Sequence, residues 1–434
     1  MSGPLLGLCG FLAALTLILL RVPVGVAMAV VGVAGFAWLA GWRGVTFVLG
    51  AAPFEAVFPY SLSVVPLFVM MGVFAARAGL SQSLYDAVNA FIGHIRGGLA
   101  VATIGACAAF GAICGSSLAT VATIGRVAMP EMRRHGYDDR LAAASVAAGG
   151  TLGVLIPPSI ILVIYGLLTE TSIGALFMAA LIPGLLGTLL YALAIIVQTR
   201  IAPALGPAGR RQRWPKRLAA LSRVWAVALL FFLVIGGIYW GWFSPTEAAA
   251  VGAGGAFLFA LASRQLTRSV FLECVIETAR TTGMIFFILI GAALFNYFIE
   301  MTGLPRLLVQ WVSTGAFAPF TVLLLVMLFY VVLGCFMDSL SMILLTVPFV
   351  FPMMAALGFD PIWFGILLVT VAEIGLITPP IGLNLFVVQG VAPELRQVTV
   401  VRGILPFFAA DLVRLALLVA FPVLTLWLPT RMAG

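Results

Sequence analysis

Residues 153–159 read GVLIPPS, and residues 375–381 read GLITPPI. Each stretch carries a Pro-Pro pair inside an apolar segment, and the two stretches lie 222 positions apart. A proline has no N–H group and breaks the helical hydrogen bond to the carbonyl four residues earlier. A single pair could be a simple kink in a helix. Two pairs at matching positions instead predict two interrupted helices, one in each half of the chain.

The same offset of 222 residues recurs well beyond the proline pairs, which makes it the mark of an internal repeat. Upstream and downstream matches keep this spacing without a gap, and they pair Pro23 with Pro245, Gly32 with Gly254, Pro130-Glu131-Met132 with Pro352-Met353-Met354, and Gly136-Tyr137-Asp138 with Gly358-Phe359-Asp360. We expect the chain to consist of two related halves.

Composition places most of this chain in lipid. Of its 434 residues, 63% are hydrophobic and 9% are charged, whereas soluble proteins contain about 25% charged residues. Apolar runs near the ~20 residues that span a bilayer recur from end to end, without the polar alternation of a β-barrel. We therefore expect an all-α polytopic membrane protein. The net charge of +8 is explained by basic residues beside the spans, so no nucleic-acid partner is expected.

The repeat divides the chain into a first half at 1–199, a basic linker at 200–223 and a second half at 224–434. Each half contains one pair of short apolar arms, at about 98–130 in the first half and at about 318–352 in the second. Arms of this length fit re-entrant helical hairpins better than full spans. Each hairpin is followed by a Pro-Pro-broken helix, at about 141–168 and about 362–388. Five crossings per half would make the second half an inverted copy of the first.

The distribution of basic residues predicts the orientation. With the linker on the cytoplasmic side, seventeen Lys and Arg residues lie inside and three lie outside, as the positive-inside rule requires. The chain is then a multi-pass protein of the bacterial inner membrane with both termini in the periplasm. No basic segment precedes the first apolar run, so we interpret that run as a retained span.

Four places of broken helix should carry the chemistry, because unpaired backbone at membrane depth is costly unless it lines a cavity or binds something. Two are the hairpin tips at 115–117 and 334–339, and two are the proline breaks. Freed carbonyls and hydroxyls there suit Na⁺, whereas the N-termini of half-helices favour an anion. This combination is typical of ion-coupled transporters.

Several of these residues have simpler interpretations. Ser116 and Ser117 could serve only close helix packing. Asp338 is a functional candidate as a carboxylate in an apolar stretch, and it could also cap a helix. Asn384 could bind a solute or cap the second half-helix.

Two further charged residues fall within or near apolar segments. Glu373 could be a proton or ion ligand, although its repeat partner is Thr151. Arg126 has no obvious partner, and its long side chain could extend to the inner surface.

Several stretches resemble the large membrane subunit of the tripartite ATP-independent periplasmic (TRAP) transporters. The matching segments cover nearly the whole chain and are GAICGSSLATVATIGRVAMPEM at 111–132, GYDDRLAAASVAAGGTLGVLIPPSIILVIYG at 136–166, FSPTEAAAVGA at 243–253, GCFMDSLSMILLTVPFVFP at 334–352 and GLITPPIGLNLFVVQ at 375–389.

The resemblance implies an elevator-type secondary transporter that imports an organic acid anion with Na⁺ and without ATP. C4-dicarboxylates, keto acids and sugar acids are the expected substrates. It also implies two protein partners, a small four-helix membrane subunit on a separate polypeptide and a periplasmic substrate-binding protein.

By matching position, the resemblance also implies the ligands. The first Na⁺ site would use Ser116, Ser117, Gly153 and Pro157. The second would use Gly334, Ser339, Gly375, Thr378 and Pro379. Substrate would contact Ser116, Ser159, Asp338 and Asn384.

Three alternatives remain beside this interpretation. A stand-alone ion-coupled carboxylate transporter would also have paired hairpins but would need no binding protein. A membrane-embedded enzyme is disfavoured because the sequence contains no HExxH motif, no cysteine cluster and no nucleophile with an adjacent base. A passive channel would show a polar ring along one helix face, and the sequence shows none.

Overall fold

The computed structural model describes residues 2–315 and 317–432, and within these ranges the chain is all-helical, with no β-strand. The predicted fold class of a polytopic all-α membrane protein is thereby confirmed. Met1, Ala316, Ala433 and Gly434 lie outside the described residues.

The first half forms nine α-helices whose apolar faces pack on one another. They are α1 Gly3–Leu19, α2 Val24–Val57, α3 Val64–Arg77, α4 Leu80–Ile92, α5 Gly98–Cys114, α6 Ser117–Arg134, α7 Asp139–Leu155, α8 Ile160–Leu168 and α9 Ile173–Ile201. A short 3₁₀ turn, Tyr60–Ser63, leads into α3.

The predicted linker holds a 3₁₀ turn at Pro203–Leu205 and one short helix, α10 Trp214–Leu221. Eleven helices follow it, and a π-helical turn at Phe232–Gly236 joins the first two. They are α11 Trp225–Phe231, α12 Gly237–Tyr239, α13 Pro245–Ala262, α14 Arg268–Thr302, α15 Leu304–Ser313, α16 Pro319–Gly334, α17 Ser339–Ala356, α18 Pro361–Ile377, α19 Leu383–Val391, α20 Gln397–Ala420 and α21 Val423–Met432.

Helices of the two halves occur at the repeat spacing. The bounds of α17 lie 222 positions after those of α6, and the bounds of α18 lie 222 positions after those of α7. Their N-caps follow the same spacing, since Asp138 and Asp360 each accept a backbone hydrogen bond at the start of a broken helix. Similar local sequence has therefore produced matching helices at matching positions.

Apolar runs at 24–39, 281–299 and 405–428 each predict one membrane span, and the observed helices differ from all three predictions. The first run is part of α2, which continues to Val57 and bends at Gly41, whose φ of 71° is open to glycine but rarely to other residues. The second run is only the later part of the 35-residue helix α14. The prediction of one span for the third run is wrong, because the chain leaves the helix at Phe421-Pro422 and α20 and α21 are separate helices.

Seven helices in the described part of the chain are long and apolar enough to cross a membrane, and nine if each of two bent helix pairs forms one span. One bent pair is α7 with α8, which meet at 42° across the first proline break. The centre of the fold is built where α5, α6, α7, α18 and α20 pack together, while the long helices α2 and α14 lie along each other. This arrangement brings both hairpin tips toward one interior space.

Candidate functional site

A cavity of about 640 Å³ lies between the two hairpin tips. Ser116 and Ser117 line it from the first half, and Asp338 and Ser339 line it from the second. Parts of α2, α3 and α14 complete the wall. Its volume is within the range of small-molecule binding sites, which are usually a few hundred to a thousand Å³.

Among the described residues that line this cavity, the only charged side chains are the acidic Asp338 and Glu277. Most of the remaining wall is apolar, with hydroxyls from Ser116, Ser117, Thr123, Thr281, Ser339 and Ser341. A bound anion would therefore have no lysine or arginine to pair with. Positive potential has to come from the N-termini of α6 and α17, which begin at the tips, and from bound cations.

At the first tip, a turn exposes backbone oxygen to the proline break. Gly115 adopts a φ of 62° and ends α5. The hydroxyl of Thr120 then donates to the Ser116 carbonyl at 2.7 Å. A Cβ atom built on Gly153 would lie 2.8 Å from the Thr120 Oγ1 atom and 3.4 Å from the Ser116 carbonyl oxygen. Gly153, Ser116 and Thr120 thus converge on one small polar space.

The first proline break closes against the same tip. The peptide bond between Pro157 and Pro158 is cis, and the Pro158 carbonyl oxygen would lie 2.8 Å from a Cβ atom on Gly115. The carbonyls of Ser116 and Pro158 and the hydroxyl of Thr120 are hard oxygen donors, which is the ligand type that a cation such as Na⁺ requires.

At the second tip, two glycines allow the hairpin to touch the broken helix. A Cβ atom on Gly334 would lie 2.8 Å from the Cα atom of Gly375. The Gly382 N–H donates to the Cys335 carbonyl at 3.3 Å, which ties the break to the tip. Ser339 is buried at the same hairpin tip, and among the described residues its hydroxyl has no hydrogen-bond partner.

Thr378 and Pro379 lie in the second break itself. The Thr378 hydroxyl donates to the Ile374 carbonyl at 2.5 Å, and the peptide bond between Pro379 and Pro380 is cis. The structure therefore gathers the predicted ion-site residues of each half around that half's own tip and break.

The predicted substrate contacts separate into two groups. Ser116 and Asp338 line the cavity, and Asp338 also caps α17 by accepting from the Ser341 backbone N–H at 3.0 Å. Ser159 and Asn384 are fully buried behind the lining. Ser159 caps α8 by accepting from the Leu162 N–H at 3.3 Å. A substrate role for all four residues stays a prediction.

Asn384 connects three elements from both halves. Its amide nitrogen donates to the Ser117 hydroxyl at 2.8 Å and to the Ala147 carbonyl at 2.9 Å. The second proline break is thereby tied to the first hairpin tip and to α7.

Sequence reasoning missed two residues of this region. Thr120 carries no signal that separates it from other helical threonines. Glu277 does carry a signal, because its repeat partner 222 positions earlier, Glu55, is also a glutamate. Arg126 is exposed on α6 and forms no ion pair within the described residues.

A sequence model of the family described as "Tripartite ATP-independent periplasmic transporter, DctM component" matches residues 11–424. The chain is 40% identical to a C4-dicarboxylate TRAP transporter large permease protein of Pseudomonas aeruginosa, over 87% of this chain and 88% of that protein. It is 36% identical to a sialic acid TRAP transporter large permease of Vibrio cholerae, over 86% and 87%. It is 33% identical to an ectoine TRAP transporter large permease of Halomonas elongata, over 95% and 96%.

Two solved structures share the fold. The YdaH transporter of Alcanivorax borkumensis superposes with a TM-score of 0.67 at 18% identity, covering 88% of this chain and 90% of that one. The MtrF protein of Neisseria gonorrhoeae superposes with a TM-score of 0.60 at 14% identity, covering 88% and 85%.

Proposed function

The chain belongs to the DctM family, the large permease component of tripartite ATP-independent periplasmic transporters, and we propose that it imports a small organic acid anion together with Na⁺. As a member of this family with several apolar helices, it is a multi-pass inner-membrane transport subunit and not an enzyme. The coupling ion, the solute, the partners and the transport cycle form the proposal.

The observation that carries the proposal is the charge of the cavity. Both hairpin tips line it, and its charged residues in the described part of the chain are Asp338 and Glu277. An anion that enters such a site meets two carboxylates and only the partial positive charge of two helix N-termini. Cations bound at the tips would supply the missing charge, so solute and Na⁺ would bind together.

Coupling of Na⁺ and solute follows because both would bind to the same backbone segments of the protein. Na⁺ would occupy the oxygen clusters around Ser116 and Gly153 and around Ser339 and Gly375, and the anion would bind at the N-termini of α6 and α17. Each ligand would order the tips that the other needs, which makes their binding energies interdependent. The solute would then cross only with its ions.

The position of the cavity supports alternating access by an elevator movement. Its wall includes residues next to Arg21 and Arg77, which the positive-inside rule places at the cytoplasmic surface. Met284 lines the cavity and is 57% exposed, whereas its repeat partner Leu62 is 4% exposed and buried. These two equivalent positions thus differ in their access to the cavity, and an outward-facing state would exchange them.

The tripartite family supports two partners, a small four-helix membrane subunit and a periplasmic substrate-binding protein that delivers the solute. The names of the relatives include C4-dicarboxylate, sialic acid and ectoine transporters. A further relative is named for isethionate, which is a sulfonate, whereas the other three solutes carry a carboxylate. The proposed class is therefore a small organic acid, such as a C4-dicarboxylate, keto acid or sugar acid.

Reconstitution in liposomes tests this function. The purified chain, its small subunit and the loaded binding protein are combined under an inward Na⁺ gradient, with an equal K⁺ gradient as the control. We expect uptake of the labelled organic acid only with Na⁺ and only with the binding protein. Uptake that ignores the sodium gradient would remove the coupling ion from the proposal. Uptake by the chain alone would instead favour a stand-alone ion-coupled carboxylate transporter.

A further inference from the structure

The basic linker between the two halves contains a buried arginine without an ionic partner. Arg217, on the short helix α10, is 5% exposed, and its Nε and Nη2 atoms are buried without a hydrogen-bond partner among the described residues. Its guanidinium carbon lies 5.2 Å from the ring centroid of Trp214 and 5.8 Å from that of Phe91. The two rings attract the cation and fix its position, but the N–H donors of the guanidinium stay free.

No carboxylate near α10 neutralises this arginine. Between residues 171 and 246 the sequence contains no aspartate or glutamate. Helix α4, against which α10 packs, has one acidic residue, Asp86, whose carboxylate accepts a hydrogen bond from Gln82 at 2.9 Å. Within the described part of the chain, Asp86 forms no ion pair with Arg217. A buried charge is costly to leave unpaired, so the guanidinium still lacks an anion.

The linker is attached to the turn that follows α4. The Gly209 N–H donates to the Gly93 carbonyl at 3.1 Å, and the Gly97 N–H donates to the Gly206 carbonyl at 2.9 Å. A Cβ atom on Gly209 would lie 2.5 Å from the Gly93 carbonyl oxygen, so this approach leaves no room for a side chain. In the same turn, the Nδ1 atom of His94 is buried without a partner in the described residues. The basic run that begins after Gly209 therefore starts beside this turn.

The outer face of α10 is apolar. Trp214, Leu218 and Leu221 are each at least half exposed, and Trp225 continues the same stripe at spacings of three and four residues. Helix α10 meets the candidate span Trp225–Tyr239 at an angle of 42°. A helix of this kind at the end of a span lies in the membrane interface, with its apolar side chains among the acyl chains. Its basic side chains then lie at the depth of the lipid phosphate groups.

The other basic residues between positions 210 and 223 are exposed and form no ion pair within the described ranges. They are Arg210, Arg211, Arg213, Lys216 and Arg223. Together with Arg217 they give this short segment six cations and no carboxylate. Clusters of four to eight Lys and Arg residues beside a span attract the headgroups of anionic lipids.

We propose that Arg217 binds the phosphate group of an anionic phospholipid in the cytoplasmic leaflet, at a site built by α10 and the end of α4. The guanidinium donates to the phosphate oxygens, while Trp214 and Leu218 contact the acyl chains. Trp214 covers the guanidinium and is 61% exposed, so a movement of this one side chain opens Nη2 to the headgroup. An inorganic phosphate ion would gain nothing from the apolar stripe, which favours a lipid as the source of the phosphate.

Binding of a short-chain phosphatidylglycerol tests the site. The chain, purified with its small subunit and delipidated in a non-ionic detergent, is titrated with this lipid, and the rise in unfolding temperature gives the affinity. High salt is present, because it screens exposed charges more than buried ones. We expect the lipid to stabilise the wild type and R217Q to weaken its affinity about tenfold, through loss of a charge-assisted hydrogen bond. Phosphatidylcholine with the same acyl chains should bind more weakly.

The matched controls are R211Q and K216Q, which each remove one exposed charge of the same segment and should keep the wild-type affinity to within about twofold. R217K is the second variant if R217Q does not fold. It keeps the charge but loses the planar fork of donors, and it should still weaken binding about threefold. Inorganic phosphate at the same concentration should not stabilise the protein.

Three results would overturn the proposal. Equal losses in R217Q, R211Q and K216Q would reduce the effect to unspecific attraction by a basic surface. Stabilisation by inorganic phosphate as strong as that by the lipid would assign the site to a soluble phosphate compound. A complex that does not bind the lipid at all would mean that the small subunit, and not lipid, covers α10.

Discussion

The side-chain amide of Asn384 donates a hydrogen bond of 2.8 Å to the hydroxyl of Ser117, which lies 267 residues earlier in the chain. Asn384 stands just after the second proline break, and Ser117 begins the second arm of the first hairpin. A bond between them means that the helix break of one half holds the hairpin tip of the other. The two ion sites proposed above are therefore mechanically joined, although each gathers ligands from its own half.

The variant N384A tests the hydrogen-bonded link between Asn384 and Ser117. It should lower stability by about 1–3 kcal/mol, because the Ser117 hydroxyl and the Ala147 carbonyl lose their buried partner. We expect sodium-driven uptake to fall about tenfold while the protein still folds, as measured by transport in liposomes and thermal unfolding in detergent. The control is Q389A on the same helix, whose amide bonds only the nearby Leu395 carbonyl. Equal effects in the two variants would contradict a role of the Asn384–Ser117 hydrogen bond in transport.

The contact between Gly334 and Gly375 leaves no room for a methyl group. In G375A the new Cβ atom would lie 2.5 Å from the Gly334 Cα atom, so backbone has to move against backbone. We expect a loss of about 1–3 kcal/mol from overpacking and a transport rate reduced further than stability alone explains. Thermal unfolding and uptake measure both. G390A is the matched control, since among the described residues no atom beyond its own helix backbone lies within 4 Å of a Cβ atom built there. A harmless G375A would refute the close approach.

The accessibility of Met284 and its repeat partner Leu62 to a thiol reagent, measured on cysteine variants, reports the direction in which the cavity opens. In a background without native cysteines, M284C should react with a thiol reagent applied from the cytoplasmic side, whereas L62C should not. Met284 is 57% exposed in the cavity wall and Leu62 is 4% exposed. Labelling of inside-out and right-side-out vesicles makes the comparison. Fast reaction of L62C under the same conditions would mean that this wall is not the inward one.

The unpartnered hydroxyl of Ser339 is the sharpest test of the second ion site. Because no hydrogen-bond partner among the described residues satisfies this buried oxygen, S339A should weaken Na⁺ binding about tenfold without a loss of stability when Na⁺ is absent. The sodium dependence of the unfolding temperature gives the affinity, since a ligand that binds only the folded state stabilises it by an amount that grows with the logarithm of the ratio of ligand concentration to Kd. S313A, at an exposed hydroxyl that bonds the Val309 carbonyl, should keep the wild-type sodium response. An unchanged response in S339A would exclude Ser339 as a ligand.

An ion pair outside the membrane spans connects the two halves. Arg133, near the end of α6, pairs with Glu394, and its hydrogen bond holds the pKa of that carboxyl below its ordinary value of 4.5. A carboxyl with a lowered pKa stabilises the folded state above its unfolded pKa, and the contribution disappears as the pH falls through the folded pKa.

We therefore expect R133M to lower the unfolding temperature slightly at pH 7, and the difference from wild type to disappear as the pH falls from 4.5 through the lowered pKa of Glu394. The effect stays small because both side chains are partly exposed. R134M, which removes a neighbouring arginine without an ion pair in the described part of the chain, should show no such pH dependence. A difference that persists in acid would assign the effect of R133M to packing.

Much of the helix pattern follows from local sequence. The apolar runs predicted spans, the short arms around Ser116 and Asp338 predicted helices interrupted by tips, and the Pro-Pro pairs predicted the ends of α7 and α18 to within a residue or two. The span predictions were wrong where the end of a helix does not depend on local hydrophobicity. The continuation of α2 past Gly41 and the division at Phe421 depend on backbone angles that an apolar run does not reveal.

The sequence by itself determined that this protein is embedded in the lipid bilayer, that it is built from two related halves and that its helices break at matching positions. These properties come from single residues and their immediate neighbours, such as a proline without an N–H group or a span without charges. Only the tertiary structure decided that Asn384 reaches Ser117, that Arg414 pairs with both Glu373 and Asp411, and that Met284 lines the cavity while its repeat partner Leu62 is buried. Those contacts join segments far apart in the chain, and packing of whole helices selects them.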